Sequence, residues 1–548
     1  MVKGKIRKYY LSIILALAFL VFCNSLLNDF VWDDEEQIVN NLVIRDWSNL
    51  KLAFTSSTFY AGGAELSGGF YRPLVTLSYF LNYSLWRLEP FGYHLFQICF
   101  HLANTALLFC LLKKILKPED GSRKTTASEK YNWEIAGLSA LLFAIHPANV
   151  ESVAYIACIG EVLYTFFCLL PFNIFLKKFD IKKKQIKNKN LALAFGLIFL
   201  ALLAKESAIV ILPLLFLYVW LFLKPKKQTY IKLGLGALMV ITLYSGLRFG
   251  LAKISLNQKH YAPIGRAPLI QRLLTIPYKI FLDLKTIFLP KNLAISQHFV
   301  ISNPADIRFC GPLIIIFVLA GLVIFYLWKK KSKTLIFFLA WFAVSLAPTL
   351  NLLPNDMSFA ERWLYFPLIG ICVSFVIVLW PLVAKLSSRW RSIIYAILGL
   401  VIIALSIRAI KRNADWKNGL TLYGHDIQYS KNSYELENNY GVELFRNGQI
   451  DQAKAHFEKS IELVPDWPFP HNNLGATEES FGNLEKAEQE YKKAIEHSDY
   501  YLAYENLARL LIKMEKYEEA EAFIKKSLLK LPQNINLQQM LLLIQQNQ

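Results

Sequence analysis

Nine charged or imidazole side chains occupy positions where an apolar chain does not tolerate them without a reason. Asp33 and Asp34 lie in FVWDDEEQIVNN and Arg72 in YRPL. His146 and Glu151 lie in FAIHPANVESVAYI, Lys205 and Glu206 in LLAKESAIVILP, and Glu361 and Arg362 in FAERWLYFP. Each segment flanks or enters a long apolar run, where a charge costs roughly 2.5–3.5 kcal/mol on insertion scales, so each is a functional candidate. Their types suit one kind of reaction. A carboxylate accepts the proton of an attacking hydroxyl, and guanidinium or ammonium groups stabilise a departing phosphate. Asp33 is read as the base, with Asp34 orienting the acceptor or tuning its neighbour, because consecutive residues point apart. Arg72, Lys205 and Arg362 are read as the cations.

Plainer readings stand beside these. The two aspartates can be a solvated loop, and Lys205 with Glu206, or Glu361 with Arg362, can be ion pairs between neighbours. His146 before Pro147 can cap a hairpin, while His94 and His101 can be satisfied inside a bundle. Glu161, in mid-span, needs a partner or a water-filled cavity. No spacing of His, Cys, Asp and Glu compels a metal, so none is assigned and dependence on a divalent ion stays open.

The elements that hold these residues follow from composition. The 548 residues are 55% hydrophobic and only 18% charged, which excludes both an ordinary soluble chain and a disordered one. The net charge of +19 belongs to cytoplasmic loops of a membrane protein, and nucleic acid is not expected as a partner. Seven cysteines without a CxxC give no disulfide framework.

Apolar runs predict spans near 9–27, 91–114, 133–146, 150–176, 190–204, 207–224, 230–249, 268–290, 311–329, 334–349, 362–385 and 392–411. The joints KKILKP, KKFDIKKKQIKNK, KPKKQTYIK, KKKSK and KLSSRWR are basic and face the cytoplasm, as does the N-terminus. The loop 28–72, with Asp29, Asp33, Asp34, Glu35, Glu36, Asp46 and Glu65, faces outside. Basic joints at 329–333 and 385–391 require an odd number of crossings. The segment 268–290, broken by Pro277 and charged at Lys279, Asp283 and Lys285, is the one expected not to cross fully, leaving about 11 spans over 1–411.

Beyond the last span the pattern repeats. Gly441, Ala453, Phe457 and Pro465 correspond to Gly475, Ala487, Tyr491 and Asp499, then to Ala508, Ala520, Ile524 and Pro532. Small residues let paired helices approach, the aromatic fills the gap and proline, where present, ends the second helix. Three tetratricopeptide (TPR) repeats are expected over 433–548, as an extracytoplasmic α-solenoid with a groove for protein. A junction at 412–432 is expected to contain a partial capping repeat. The fold class is therefore all-α: a polytopic transmembrane helical bundle followed by a TPR array.

FVWDDEEQIVNN, YRPLVTLSYFLNYSLW, the spacing of His94, His101 and Asn104, LLFAIHPANVESVAYI, LLAKESAIVILPLL, FAERWLYFPLIG and RNADWKNGLTL together carry a likeness. In this order they resemble the transmembrane-and-tetratricopeptide-repeat protein O-mannosyltransferases, across nearly the whole chain. The resemblance implies a GT-C-like membrane glycosyltransferase. It would take a mannose-like hexose from a polyprenyl- or dolichyl-phosphate sugar and transfer it to Ser/Thr hydroxyls of proteins on the extracytoplasmic face. It also implies that the acidic pair supplies the catalytic carboxylate, which here falls on Asp33 and Asp34. One departure is Ile159, where the family's G-R-x-E/D pattern has Arg. Two rivals belong to other classes: a non-catalytic membrane-anchored TPR scaffold or assembly factor, and a lipid-linked-sugar transporter. The transporter requires charges spread through the bilayer, and apart from Glu161 they gather on one face.

Overall fold

The computed structural model describes residues 2–60, 69–116, 126–180, 183, 185–255, 260–532 and 534–547. Glu65 and parts of the basic joints at 113–118 and 177–189 lie outside the described residues. Among the described residues the regular structure is helical apart from a two-residue ladder pairing Phe179 with Ile186 and an isolated bridge from Gln297 to Phe359.

Eight helices among the described residues are long and apolar enough to cross a membrane: Tyr9–Leu27, Pro90–Ile115, Ile156–Lys178, Glu206–Leu223, Lys227–Leu251, Ile307–Lys330, Glu361–Ala384 and Ser388–Asp415. Three shorter apolar helices accompany them, Tyr131–Ile145, Asn188–Ala204 and Lys333–Thr349. Burial divides core from periphery. The apolar stretch of Ile156–Lys178 is 67% buried by its neighbours, whereas that of Ile307–Lys330 is 6% buried and presents Phe317, Leu322 and Trp328 outward, as lipid contact requires.

Leu269–Phe288 belongs to neither group. It turns Lys279 and Asp283 inward, bonded at 2.8 Å, with Lys279 also donating to Thr349 at 2.9 Å, and exposes Leu269, Ile270 and Leu273. Near its start Arg272 donates to the Leu352 carbonyl, and near its end the Ile287 carbonyl accepts from His146 Nε2. Both partners lie at the same side of the bundle, so the helix runs along that side.

The sequence reads 150–176 as one span, and the structure breaks it. Val150–Ala154 is a separate short helix, Tyr155 is extended, and a 3₁₀ turn over Ile156–Cys158 precedes the long helix Ile159–Lys178. The interruption frees carbonyls that would be costly in an apolar bundle. Gln97, fully buried, donates to Ser152 O at 2.6 Å and Tyr155 O at 2.7 Å, which satisfies them.

After the last apolar helix, Gly419–Asp426 packs on Tyr434–Arg446 and caps three helix pairs: Tyr434–Arg446 with Ile450–Leu463, Pro468–Ser480 with Leu484–His497, and Tyr501–Lys513 with Tyr517–Lys530. A further helix, Ile535–Asn547, closes the stack. A Cβ at Gly441 would meet the Phe457 ring at 2.7 Å, and one at Gly475 would meet Tyr491 at 2.7 Å. The repeat glycines are thus required by close helix approach.

Candidate active site

The first loop is stitched to the end of the last apolar helix. Asn28 Nδ2 donates to Asn413 O, Asn413 Nδ2 donates to Val21 O, and the Asp29 amide donates to Lys417 O. Arg412, fully buried, holds Asp426 with two bonds of 2.6 and 2.9 Å, and Asp426 in turn accepts from the Ile295 amide. The junction RNADWKNG therefore forms the floor on which the acidic loop rests.

On that floor three rings stack: Trp32 on Tyr155 at 5.4 Å and 10°, and Tyr155 on Trp416 at 5.2 Å and 26°. Trp32 has φ of 56°, a left-handed conformation that costs a bulky residue of order 1–3 kcal/mol and persists only where packing dictates it. The Arg362 guanidinium lies 5.4 Å from the Trp32 ring and completes the clamp. The strained residue directly precedes Asp33.

Asp33 is half-buried, and its amide donates to Tyr155 Oη at 3.2 Å. Burial pushes its carboxyl above the ordinary aspartate value, while a side-chain hydrogen bond to Tyr155 and the charge of Arg362 pull it back. Asp34 is fully buried and points away: its carboxylate accepts from the Val31 amide at 3.1 Å and from the Ala157 amide at 2.7 Å. It pins the loop to the 3₁₀ turn. The expected divergence of the two aspartates is present, but Asp34 is occupied by backbone.

The cations have partners other than their sequence neighbours. Arg362 pairs with Glu151, whose other oxygen accepts the Arg362 amide at 2.7 Å. Arg72 forms a fork to Glu206, Nε at 3.1 Å and Nη2 at 2.6 Å, and Lys205 pairs with Glu161. The alternative of ion pairs between neighbours is corrected. Lys205 is extended between two helices and Glu206 opens a 3₁₀ turn, so adjacent side chains diverge. Arg72, Lys205 and Arg362, read as the cations, each face a carboxylate. Arg72 is the most accessible, at 19% of its side chain, and its Nη1 has no protein hydrogen bond among the described residues.

The remaining expected residues are buried. His146 Nδ1 accepts from the Ala148 amide at 3.1 Å and Nε2 donates to Ile287 O, so it caps the turn Pro147–Asn149. Glu361 is fully buried, 3.6 Å from Arg412, with no hydrogen-bond partner on either oxygen among the described residues. His94 and His101 are bonded within the bundle, to Asn28 O and to Tyr365 Oη and Ala144 O. Sequence reading missed Tyr155, Trp32 and Trp416 as the frame of Asp33. All three lie in segments it quoted, yet an aromatic in an apolar run carries no signal of its own.

The repeats meet this loop and the segment 261–296. Arg446 forks onto Glu35 at 2.6 and 2.9 Å, Ser296 Oγ donates to Glu435 at 2.7 Å, and Tyr261 Oη donates to His497 O at 3.3 Å. Burial raises the phenols of Tyr500 and Tyr501, that of Tyr501 to about 12, and the charge of Glu36 adds to the rise. Loop 28–72 and the repeats therefore occupy the same side. On Pro90–Ile115, His94 is bonded at that side, and Lys113–Lys114 lie roughly 30 Å away at 1.5 Å per residue.

Residues 437–466 and 479–544 match models of the tetratricopeptide repeat. The chain is similar to protein O-mannosyl-transferase TMTC3 of Homo sapiens, 26% identical over 522 residues that cover 88% of this chain and 54% of that protein. It is also similar to protein O-mannosyl-transferase Tmtc3 of Drosophila melanogaster, 26% identical over 87% of this chain and 58% of the relative. Protein O-mannosyl-transferase F38B6.6 of Caenorhabditis elegans is 25% identical over 83% and 63%. The chain thus spans about half the length of the TMTC3 relatives it matches.

Proposed function

We propose that this chain is an integral-membrane glycosyltransferase that moves a hexose, mannose by analogy with the names of its relatives, from a polyprenyl- or dolichyl-phosphate donor to Ser/Thr hydroxyls of proteins. The observation that carries the reading is the carboxylate of Asp33. It is held by Tyr155 in the field of Arg362 and faces the side of the bundle that also bears the repeats. Asp33 accepts the acceptor's hydroxyl proton as the oxygen bonds to the anomeric carbon, and the bond from that carbon to the phosphate oxygen breaks. Its raised proton affinity suits a base. The departing lipid phosphate is met at the interface by Arg72 through Nη1, while Arg362 and Lys205 are paired with Glu151 and Glu161.

The basic joints at the far helix ends support a cytoplasmic N-terminus and an extracytoplasmic catalytic face. A reporter fused after Gln548 tests this: alkaline phosphatase activity there is expected, and activity of only a cytoplasmic reporter would reverse the face. Among the described residues no group of three or more His, Cys, Asp and Glu side chains is arranged to hold a metal. Metal dependence is read directly by adding EDTA to the transfer assay. That assay uses purified protein in proteoliposomes with polyprenyl-phosphate mannose and Ser/Thr peptides, read by mass spectrometry. A gain of one hexose on the peptide is the expected result. A folded protein that transfers none with either lipid donor would favour the scaffold reading.

A further inference from the structure

Glu36 stands three residues after Asp33 in the helical segment 33–39, so the two carboxylates share one face of one turn, their Cβ atoms about 5–6 Å apart. The acids between them are committed. Arg446 takes both oxygens of Glu35, at 2.6 and 2.9 Å, and the Val31 and Ala157 amides hold Asp34. Glu36 is not: its Oε2 is buried without a hydrogen-bond partner, and no ion pair reaches it among the described residues. Burial pushes its carboxyl above the ordinary glutamate value; a hydrogen bond with Asn40 opposes the rise, and the charges of Glu35 and Asp33 add to it.

The charge of Glu36 reaches the rings of Tyr500 and Tyr501, where the third repeat begins. These rings end a row of aromatic contacts: Trp467 with Phe469 at 5.2 Å, Phe469 with Tyr500 at 4.5 Å, and Tyr500 with Tyr501 at 5.7 Å. Both tyrosines are partly exposed, and neither hydroxyl has a hydrogen bond among the described residues. A second carboxylate, Glu505, acts on the same rings while its oxygens accept from Asn534 at 2.8 Å and Asn536 at 3.0 Å. An uncompensated carboxylate beside aromatic faces, with another fixed negative charge nearby, selects a cation, which pairs with the acid and lies against a ring. A sugar also stacks on aromatic rings, but its neutral hydroxyls leave the charge unpaired. We propose that Glu36, Tyr500 and Tyr501 form a subsite for a basic side chain, Lys or Arg, of the acceptor polypeptide, within about two or three residues of the hydroxyl presented to Asp33. The choice of hydroxyl rests on the transferase reading, whereas binding of the basic side chain does not.

The test is fluorescence anisotropy with the full-length protein in nanodiscs, without sugar donor. The probes are two dye-labelled unstructured peptides of Ala and Ser with one Thr; two residues from the Thr, one carries lysine and the other norleucine, which keeps the apolar stem and lacks the charge. The wild type is expected to bind the lysine peptide roughly ten- to a hundredfold more tightly, the worth of an ion pair with a cation–π contact in a partly buried site. Glu36→Gln, which conserves shape, and Tyr500→Leu/Tyr501→Leu are each expected to remove most of that preference. Glu518→Gln, at an exposed acid remote from the loop in sequence, controls for general charge and is expected to leave it unchanged. Where thermal unfolding shows the tyrosine variant to be damaged, Glu36→Gln decides. Equal binding of the two peptides by the wild type, no detectable binding of either, or a preference that survives in folded Glu36→Gln overturns the proposal. So does a preference lost equally in Glu518→Gln, and so does tighter binding of a mannosylated norleucine peptide than of the lysine peptide, which would make this a sugar site. Both peptides are then given donor. A lysine preference in binding without hexose transfer leaves the subsite standing and removes the transferase reading, whereas transfer to both peptides alike, with no preference in binding, does the reverse.

Discussion

Tyr155→Phe removes one oxygen from the centre of the site and leaves its ring stack intact. That oxygen accepts the Asp33 amide at 3.2 Å and is hydrogen-bonded to the Asp33 carboxylate. A hydrogen bond to a charged group is worth about 1.5–3 kcal/mol, so losing it raises the Asp33 pKa further. Burial already pushes the wild-type carboxyl above the ordinary aspartate value, outweighing Tyr155 and Arg362. The sign is fixed by the role of the base. Transfer falls as pH drops through the Asp33 pKa, so the acidic limb of kcat/KM moves to higher pH in the variant. Transfer recovers toward the wild-type value well above that limb. The assay is peptide mannosylation in proteoliposomes across a pH series, with protein levels matched and folding checked by thermal unfolding. An acidic limb that stays in place in folded Tyr155→Phe would refute the claim that the titrating base is Asp33 held by Tyr155.

Arg362→Met leaves Glu151 fully buried without its cation, which costs about 3–5 kcal/mol, so loss of folded protein is expected rather than a simple loss of donor affinity. Adding Glu151→Gln should restore much of that stability, measured as thermal unfolding in detergent; equal instability of the double variant would show that the pair is not what holds the turn. Trp416→Ala, which removes a fully buried ring under Tyr155, is expected to destabilise by about 3–5 kcal/mol and to lower transfer together with stability. An unaffected unfolding transition would remove the junction from the floor of the site.

Membrane helices and repeats were legible because hydropathy and a 34-residue step are properties of sequence alone. Gly441 and Gly475 illustrate this: each was assigned to close helix approach, and each has an aromatic ring where a Cβ would sit. The charged residues were legible as a set for the same reason, since burying them is expensive wherever they go. Their partners were not. Arg72 meets Glu206 across 134 residues and Arg362 meets Glu151 across 211, and such pairings depend on how helices assemble, which adjacent letters do not encode. The break at Tyr155 was hidden because an extended residue between two apolar helices leaves the hydropathy pattern unbroken. His146 was recognisable as a possible cap from the following proline, although its second bond, to Ile287, required the tertiary fold.

The central claim is that Asp33 is the base. Asp33→Asn is nearly isosteric and leaves the Asp34 bonds to Val31 and Ala157 in place, so folding and donor binding should persist. The direct measurement is turnover of polyprenyl-phosphate mannose onto peptide by Asp33→Asn and wild type at matched levels in proteoliposomes. A fall of about 10²-fold or more is predicted, the usual worth of a general base, with unchanged donor affinity. Wild-type turnover by the folded variant would contradict the account.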